Sequence, residues 1–311
     1  MKILIPDSIH LDLTSTNEWT FITTKHDEPI PEEHVDADVY VNWMQPQELV
    51  EDAAKRLTNV KLVQTFMAGV DAIQKAGFSD DVILTNGVHL HDATVSEHTI
   101  ALTLYLLRRL DQAHQEQLKH NWSRDLGEGQ PLHPEGRVTT LLGANVLVWG
   151  FGQISQHLAP MLTAFGANVT GVASTAGERA GFPVIATEDV KDHLATTDVL
   201  ISVLPANDST TNLINADVLA ALPKRAVVVN VGRGSVLDED ALINALTNGE
   251  IVGAALDVTK QMPLPADSPL WDAPNLLITP HAAGGRPVGA EERLTANLRA
   301  LAGEGEFEGR R

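Results

Sequence analysis

Short apolar runs bounded by Pro, Gly or Asn recur along the chain, with stretches of helical periodicity between them. That alternation predicts strands joined by crossover helices, because a strand buried on both faces of a parallel sheet reads as a continuous apolar run. A first series comprises Ile3 to Ile5, Val39 to Val41, Val60 to Val63 and Val82 to Thr85. A richer series begins at residue 145 and reads NVLVWG, NVTGVAS, DVLISVLP, AVVVNVGRG, GAALDV and LLITPH. Strands alternating with helices in this way predict a doubly wound nucleotide-binding domain. Between the series, Ala93 to Arg109 is apolar on most sides with its charges at the ends, which predicts a long buried helix carrying the chain from one domain into the other. The polar segment Gln112 to Pro134, which contains Trp122, is long for an internal connection and reads either as a cover for a partner subunit or as a surface loop. After residue 284, GGRPVGAEERLTANLRAL predicts a return to the first domain. The expected division is therefore 1–91 with 285–311 as a substrate-binding domain, and 92–284 as a dinucleotide-binding domain.

A length of 311 residues suits two domains, each large enough for its own core. The absence of cysteine excludes disulfide scaffolds, zinc-thiolate sites and cysteine nucleophiles. No apolar run is long enough to span a bilayer, and MKILIPDSI reads as a strand and not as a signal peptide, so the expectation is a cytoplasmic protein away from membranes. With 22 basic against 41 acidic residues the formal charge is −19, which argues against a nucleic-acid partner. The excess acid is scattered (Asp36, Asp38, Glu51, Asp52, Asp80, Asp81, Asp238, Glu239, Asp240) and only nine of the basic residues are Lys. Such a surface is expected of a protein adapted to high salt, where self-repulsion is screened.

The strongest local motif is GFGQIS, which follows the strand NVLVW and opens a helical stretch. Gly150 permits a tight turn, Phe151 follows it, Gly152 lets the backbone approach a pyrophosphate, and the amides of Gln153 and Ile154 at the helix start face the anion. Ser155 takes the place of the fingerprint's third glycine. An NAD site places a carboxylate at the end of the next strand, but here that strand ends at Ala173, followed by Ser174, Thr175 and Arg179. Two hydroxyls and a guanidinium suit a 2′-phosphate, so NADP(H) is the expected cofactor, with NAD(H) second.

A dinucleotide-dependent redox site needs a cation to hold an anionic substrate and a group that gives or takes a proton near neutral pH. Arg233, between two glycines, and His281, after the strand LLITP, fit those roles and lie just beyond strand carboxyl ends. Among the twelve histidines, the pair His89 and His91 has Asp92 and His98 nearby but no third ligand at a recognised spacing, and no metal is expected.

The segments MAGVD (67–71), DATVSEH (92–98), GFGQIS, LPANDSTTNLIN (204–215), NVGRGSVLDEDAL, GAALDV and PLPADSPLWDAPNLLITPHAAG resemble, in order and spacing, the D-isomer-specific 2-hydroxyacid dehydrogenase family, in its glyoxylate/hydroxypyruvate reductase-like branch. The resemblance implies two doubly wound α/β domains, a Rossmann dinucleotide-binding domain inserted into a flavodoxin-like one, in a homodimer. It implies a small 2-keto acid or D-2-hydroxy acid as substrate, with His281 as acid/base and Arg233 as its binding cation. It also implies that Met67, Ala68 and Gly69 meet the substrate carboxylate. On the cofactor side it implies Thr94, Leu204, Pro205, Thr210, Val231, Gly232, Asp257 and Ala283. The family's glutamate partner of the catalytic histidine is replaced by Met262, which implies impaired catalysis through a lower imidazole pKa. Trp43, Phe66 and Met67 are expected to form an apolar wall beside the substrate. The alternatives are a non-catalytic, dinucleotide-sensing interaction protein on the same fold, and a formate or phosphite dehydrogenase of the same superfamily.

Overall fold

The computed structural model describes residues 1–129, 131–134 and 136–310, so Gln130 in the polar excursion lies outside the described residues. The chain divides into two compact units, Met1–His91 with Arg286 onward, and Asp92–Gly285.

The first unit opens with β1 (Lys2–Pro6), β2 (Thr20–Thr24), β3 (Val39–Asn42), α1 (Gln47–Arg56), β4 (Leu62–Thr65), α2 (Asp71–Lys75) and β5 (Ile83–Thr85). All strand pairs are parallel, in the order β2-β1-β3-β4-β5. Because successive side chains alternate between faces, Leu4, Tyr40 and Val63 pack with α1 residues Val50 and Ala53 on one side, while Ile3, Ile5, Val39 and Val41 build the core on the other. The strand order reverses between β1 and β3, and ligands of open α/β sheets bind outside the carboxyl ends at such a switch point.

The second unit starts with α3 (Asp92–Leu107), α4 (Leu110–Leu118) and α5 (Arg124–Gly127). It continues through β6 (Asn145–Trp149), α6 (Gln153–Ala164), β7 (Asn168–Ala173), β8 (Gly177–Arg179), β9 (Phe182–Ala186), α7 (Lys191–Leu194) and β10 (Val199–Ser202). It ends with α8 (Ala216–Ala221), β11 (Val227–Asn230), α9 (Glu239–Thr247), β12 (Gly253–Leu256) and β13 (Leu276–Ile278). The eight-stranded sheet runs β13-β12-β11-β10-β6-β7-β9-β8, with only β8 antiparallel. Its switch point lies between β6 and β10, the arrangement of dinucleotide-binding sheets. Helix α3 is buried on several sides, as its nearly all-apolar sequence demands, and packs on α6, β11 and β12. Its buried hydroxyls are satisfied within the helix: Ser96, Thr99 and Thr103 donate to the carbonyls of Asp92, Val95 and Thr99 at 2.6 to 2.7 Å.

Beyond residue 285 the chain forms α10 (Ala290–Leu301), whose Leu294 and Leu298 fill the core over β1 and β3. Arg293 is buried there, donating to the carbonyls of Asn86 and Val88 and to the Glu308 carboxylate. Among the described residues no helix is long and apolar enough to cross a membrane.

Candidate active site

Strand β6 ends in the glycine turn. Gly150 sits at φ 98°, and a Cβ there would lie 2.8 Å from the Val203 carbonyl, so only glycine lets the turn lie against the end of β10. Gly152 precedes α6, and a Cβ on it would meet nothing within 4 Å. The first amides of α6, from Gln153 and Ile154, have no helical acceptor and border that open space, as pyrophosphate binding requires. Ser155 is fully buried and donates 2.7 Å to the Gly150 carbonyl, so it fastens helix to turn where the usual glycine would only allow close packing. Phe151 turns its ring into the core against Phe182, and Gly171 leaves room for it, since a Cβ there would fall 2.4 Å from the ring. Only the backbone of Phe151 is left to face a ligand.

Beyond Ala173 the chain turns into the β8–β9 hairpin and not a helix. Arg179, on β8, donates to the Phe151 carbonyl at 3.2 Å and to the Thr175 hydroxyl at 3.0 Å. The guanidinium is thereby held beside the glycine turn, next to exposed Ser174 and Thr175, with no acid at the position an NAD-specific site would fill.

Strands β11, β12 and β13 bring the chemistry together. A Cβ on Gly232 would lie 2.6 Å from Leu204 backbone atoms, and one on Gly234 would lie 2.0 Å from the Thr259 carbonyl carbon. Arg233 is thus fixed between two backbone contacts that exclude any side chain. The fully buried Asn230 braces the same loop, accepting from the Gly232 amide and donating to the Arg233 carbonyl.

Asp257, 1% exposed at the end of β12, organises the loop carrying His281. Its Oδ1 accepts from the Thr279 hydroxyl (2.6 Å) and the Ala282 amide (2.8 Å), its Oδ2 from the Ala283 amide (3.0 Å), and its carbonyl from the His281 amide (2.8 Å). His98 of α3 closes the network, its Nε2 lying 3.1 Å from the Thr279 hydroxyl and 3.3 Å from Asp257 Oδ1. The Thr279 hydroxyl gives its one proton to Asp257, so His98 Nε2 is the donor in both contacts. These bonds hold His281 at φ 53°, a left-handed conformation that costs a non-glycine residue about 1–3 kcal/mol. Burial holds the His281 pKa below its ordinary value of 6.5; Asp257 pulls it up and the nearby Arg233 charge pushes it down. The ring makes no hydrogen bond among the described residues, and Met262 is 48% exposed on its loop.

In the first unit, the loop after β4 has its carbonyls tied down. Phe66 O accepts from His91 Nε2 (2.7 Å), Met67 O from the Gly87 amide (2.8 Å) and Ala68 O from Asn86 Nδ2 (2.8 Å). The Met67 amide already donates to the Thr65 hydroxyl at 3.1 Å. Of the three amides expected to meet a carboxylate, those of Ala68 and Gly69 lack an internal acceptor among the described residues. Trp43, stacked on His91, and Phe66 are buried in this unit's core and form no exposed wall, which leaves only Met67 partly accessible.

The remaining expected residues shape loops. The buried Thr210 donates to the Pro205 carbonyl and accepts from the Asn207 amide. Leu204 and Val231 are buried, Pro205 is exposed, and Thr94 stands in the first turn of α3. Among the described residues no cluster of three His, Cys, Asp or Glu side chains could hold a metal ion. His98 and Thr279 join the Asp257 network only through folding, so the sequence does not reveal them.

Residues 100–283 match the D-isomer specific 2-hydroxyacid dehydrogenase, NAD binding domain. Glyoxylate/hydroxypyruvate reductase A of Serratia proteamaculans is 31% identical over 285 residues, covering 85% of this chain and 83% of that enzyme. The crystal structure of a D-isomer specific 2-hydroxyacid dehydrogenase family protein from Aeromonas salmonicida superposes with a TM-score of 0.85 at 29% identity, over 100% of this chain and 98% of that one. A D-isomer specific 2-hydroxyacid dehydrogenase from Xanthobacter autotrophicus, solved with NADPH and MES, gives 0.74 at 27% identity, over 100% and 97%. Fold and glycine turn together define a dinucleotide-dependent oxidoreductase. The chain belongs to the D-isomer specific 2-hydroxyacid dehydrogenase family.

Proposed function

We propose that this protein reduces a small 2-keto acid to the D-2-hydroxy acid and prefers NADP(H) over NAD(H). The observation that carries the reading is the pair Arg233 and His281, each fixed beyond a strand's carboxyl end and close enough that the Arg233 charge depresses the His281 pKa. The cofactor fits the residues present: open space over Gly152, free amides at the start of α6, and Arg179 with Ser174 and Thr175 where a 2′-phosphate would lie. When bound, the nicotinamide supplies hydride to the keto carbon. Arg233 holds the carboxylate and polarises the keto oxygen with a planar, permanently charged fork. The His281 imidazolium gives its proton to the oxygen as the alkoxide forms, and takes one back in oxidation. Asp257, with His98 and Thr279, orients the His281 loop and does not itself touch the reacting atoms. The exposed Leu118 and Trp122 around α4 and α5 support a homodimer.

The test is NADPH oxidation with straight, branched and aromatic 2-keto acids, alongside Arg179→Ala. Turnover is expected, and the variant should lose about tenfold or more of its NADPH-over-NADH preference, the scale of a charge-assisted contact. No turnover with any keto acid would overturn the reading. A second reading, a dinucleotide-binding protein without catalysis, is favoured by Met262 and the unpartnered His281 ring; NADPH binding without turnover would select it.

A further inference from the structure

At the amino ends of β11, β12 and β13, the end of the second unit's sheet opposite the glycine turn, lies a cavity of about 180 Å³. It is lined by two arginines, Arg109 and Arg137, with Tyr105 and Asn275, over aliphatic walls that include Leu106 and Val138. In a chain with 41 acids to 22 bases, two guanidinia placed together without a carboxylate partner are unexpected. Among the described residues Arg109 is satisfied by a neutral group, the side-chain carbonyl of Gln112. Arg137 makes no side-chain hydrogen bond or ion pair among the described residues. Asp111 lines the same cavity but pairs with neither arginine. Burial pulls the Arg137 pKa down, the Arg109 charge adds to that, and Asp111 opposes it.

We propose that this cavity is a second ligand site that binds a small organic carboxylate with a short apolar stem. Arg109 and Arg137 line one cavity, so a carboxylate entering it meets two permanent cations, and their mutual repulsion becomes attraction to a shared anion. The aliphatic wall distinguishes a carboxylate carrying hydrocarbon from an inorganic oxyanion, which would leave that surface without a partner. Size agrees, since a cavity of roughly 150 Å³ holds a molecule as large as benzene. The site does not depend on the proposed reaction, because none of its residues takes part in it.

The experiment is calorimetric titration of the full chain with isovalerate, its neutral amide isovaleramide and inorganic sulfate. It is repeated on Arg137→Gln, Arg137→Lys and Arg233→Gln. Isovalerate is expected to bind, isovaleramide not to bind, and sulfate to bind more weakly. Arg137→Gln should weaken isovalerate by about tenfold or more, Arg137→Lys by less, and Arg233→Gln should leave it unchanged. Unaltered melting temperatures for the Arg137 variants show that the fold is kept. No isovalerate binding overturns the proposal, as does tighter binding of sulfate. Binding lost in Arg233→Gln but kept in Arg137→Gln would place the anion at the catalytic arginine and overturn it equally.

Discussion

Arg233 and His281 divide the work of the proposed reduction, and their substitution should show the division. Arg233→Gln removes the permanent charge that meets the developing oxyanion, and kcat/KM should fall about 10²- to 10³-fold, the scale for one preorganised donor. Steady-state kinetics with NADPH would measure it, and a loss confined to KM would show that Arg233 binds ground state and transition state alike. His281 must be protonated to act as an acid in reduction. Its pKa lies below 6.5 because burial disfavours the imidazolium and Arg233 repels it. The rate of reduction should therefore decline as pH rises through that lowered value, whereas oxidation, which needs the neutral ring, should rise through it. Met262→Glu puts an anion at the position where the resemblance implies one. The descending limb is expected to move up by about one pH unit, with a faster plateau. Met262 is half exposed, so the change costs little packing, and an unmoved profile would show that His281 works without that partner. Arg233 and His281 stand out in the sequence as scarce chemical residue types flanked by glycine and proline. Asp257 was readable only as a strand-end residue, since its partners His98, Thr279, Ala282 and Ala283 reach it through tertiary contact. Trp43 and Phe66 lie beside the loop in sequence but face inward in the first unit's core, a direction that sequence position does not reveal.

Strand β12 and the loop after β13 act as one unit through Asp257. The Asp257→Asn substitution keeps the shape but presents an amide NH₂ to one set of buried donors. Leaving such a donor unsatisfied costs about 1–3 kcal/mol. A domain of this size then melts roughly 2–10 °C lower, and kcat should drop more than KM rises, because the His281 loop loses its bracing. Calorimetry with kinetics on the same preparation tests this, and an unchanged kcat would remove Asp257 from the positioning role. The six strands after residue 145 follow from their continuous apolar runs, as do β1, β3, β4 and β5. Three others did not declare themselves. The run TFITT of β2 lies at the sheet edge and is half exposed, and GER of β8 has no apolar residue. In β9, Pro183 interrupts the run, as strands near a sheet edge allow. The hairpin matters because it sets Arg179 on a strand beside the glycine turn, a placement its sequence neighbours do not declare.

For the molecule as a whole, the acidic surplus is a surface property. Among the described residues only Asp198 and Asp257 are buried acids, so nearly all of the carboxylates behind the charge of −19 face solvent. A compact chain concentrates that charge, whereas unfolding disperses it, so repulsion destabilises the folded state. Salt shortens the reach of the repulsion, from about 10 Å at 0.1 M to about 3 Å at 1 M. The same salt weakens ion pairs such as Lys25–Asp7, Lys61–Asp38 and Arg56–Glu32, but those are exposed and worth only about 0–1 kcal/mol each. The surplus outweighs them, and the melting temperature should climb through the molar range of NaCl. Chloride is the right anion for the test, because sulfate would stabilise by exclusion from apolar surface whatever the charge. A parallel series in sucrose, which raises stability without screening, separates the two effects. A steep rise in NaCl with a shallow one in sucrose is the expected result, and a curve flat in NaCl would remove self-repulsion, and with it the high-salt adaptation, from the account of this surface.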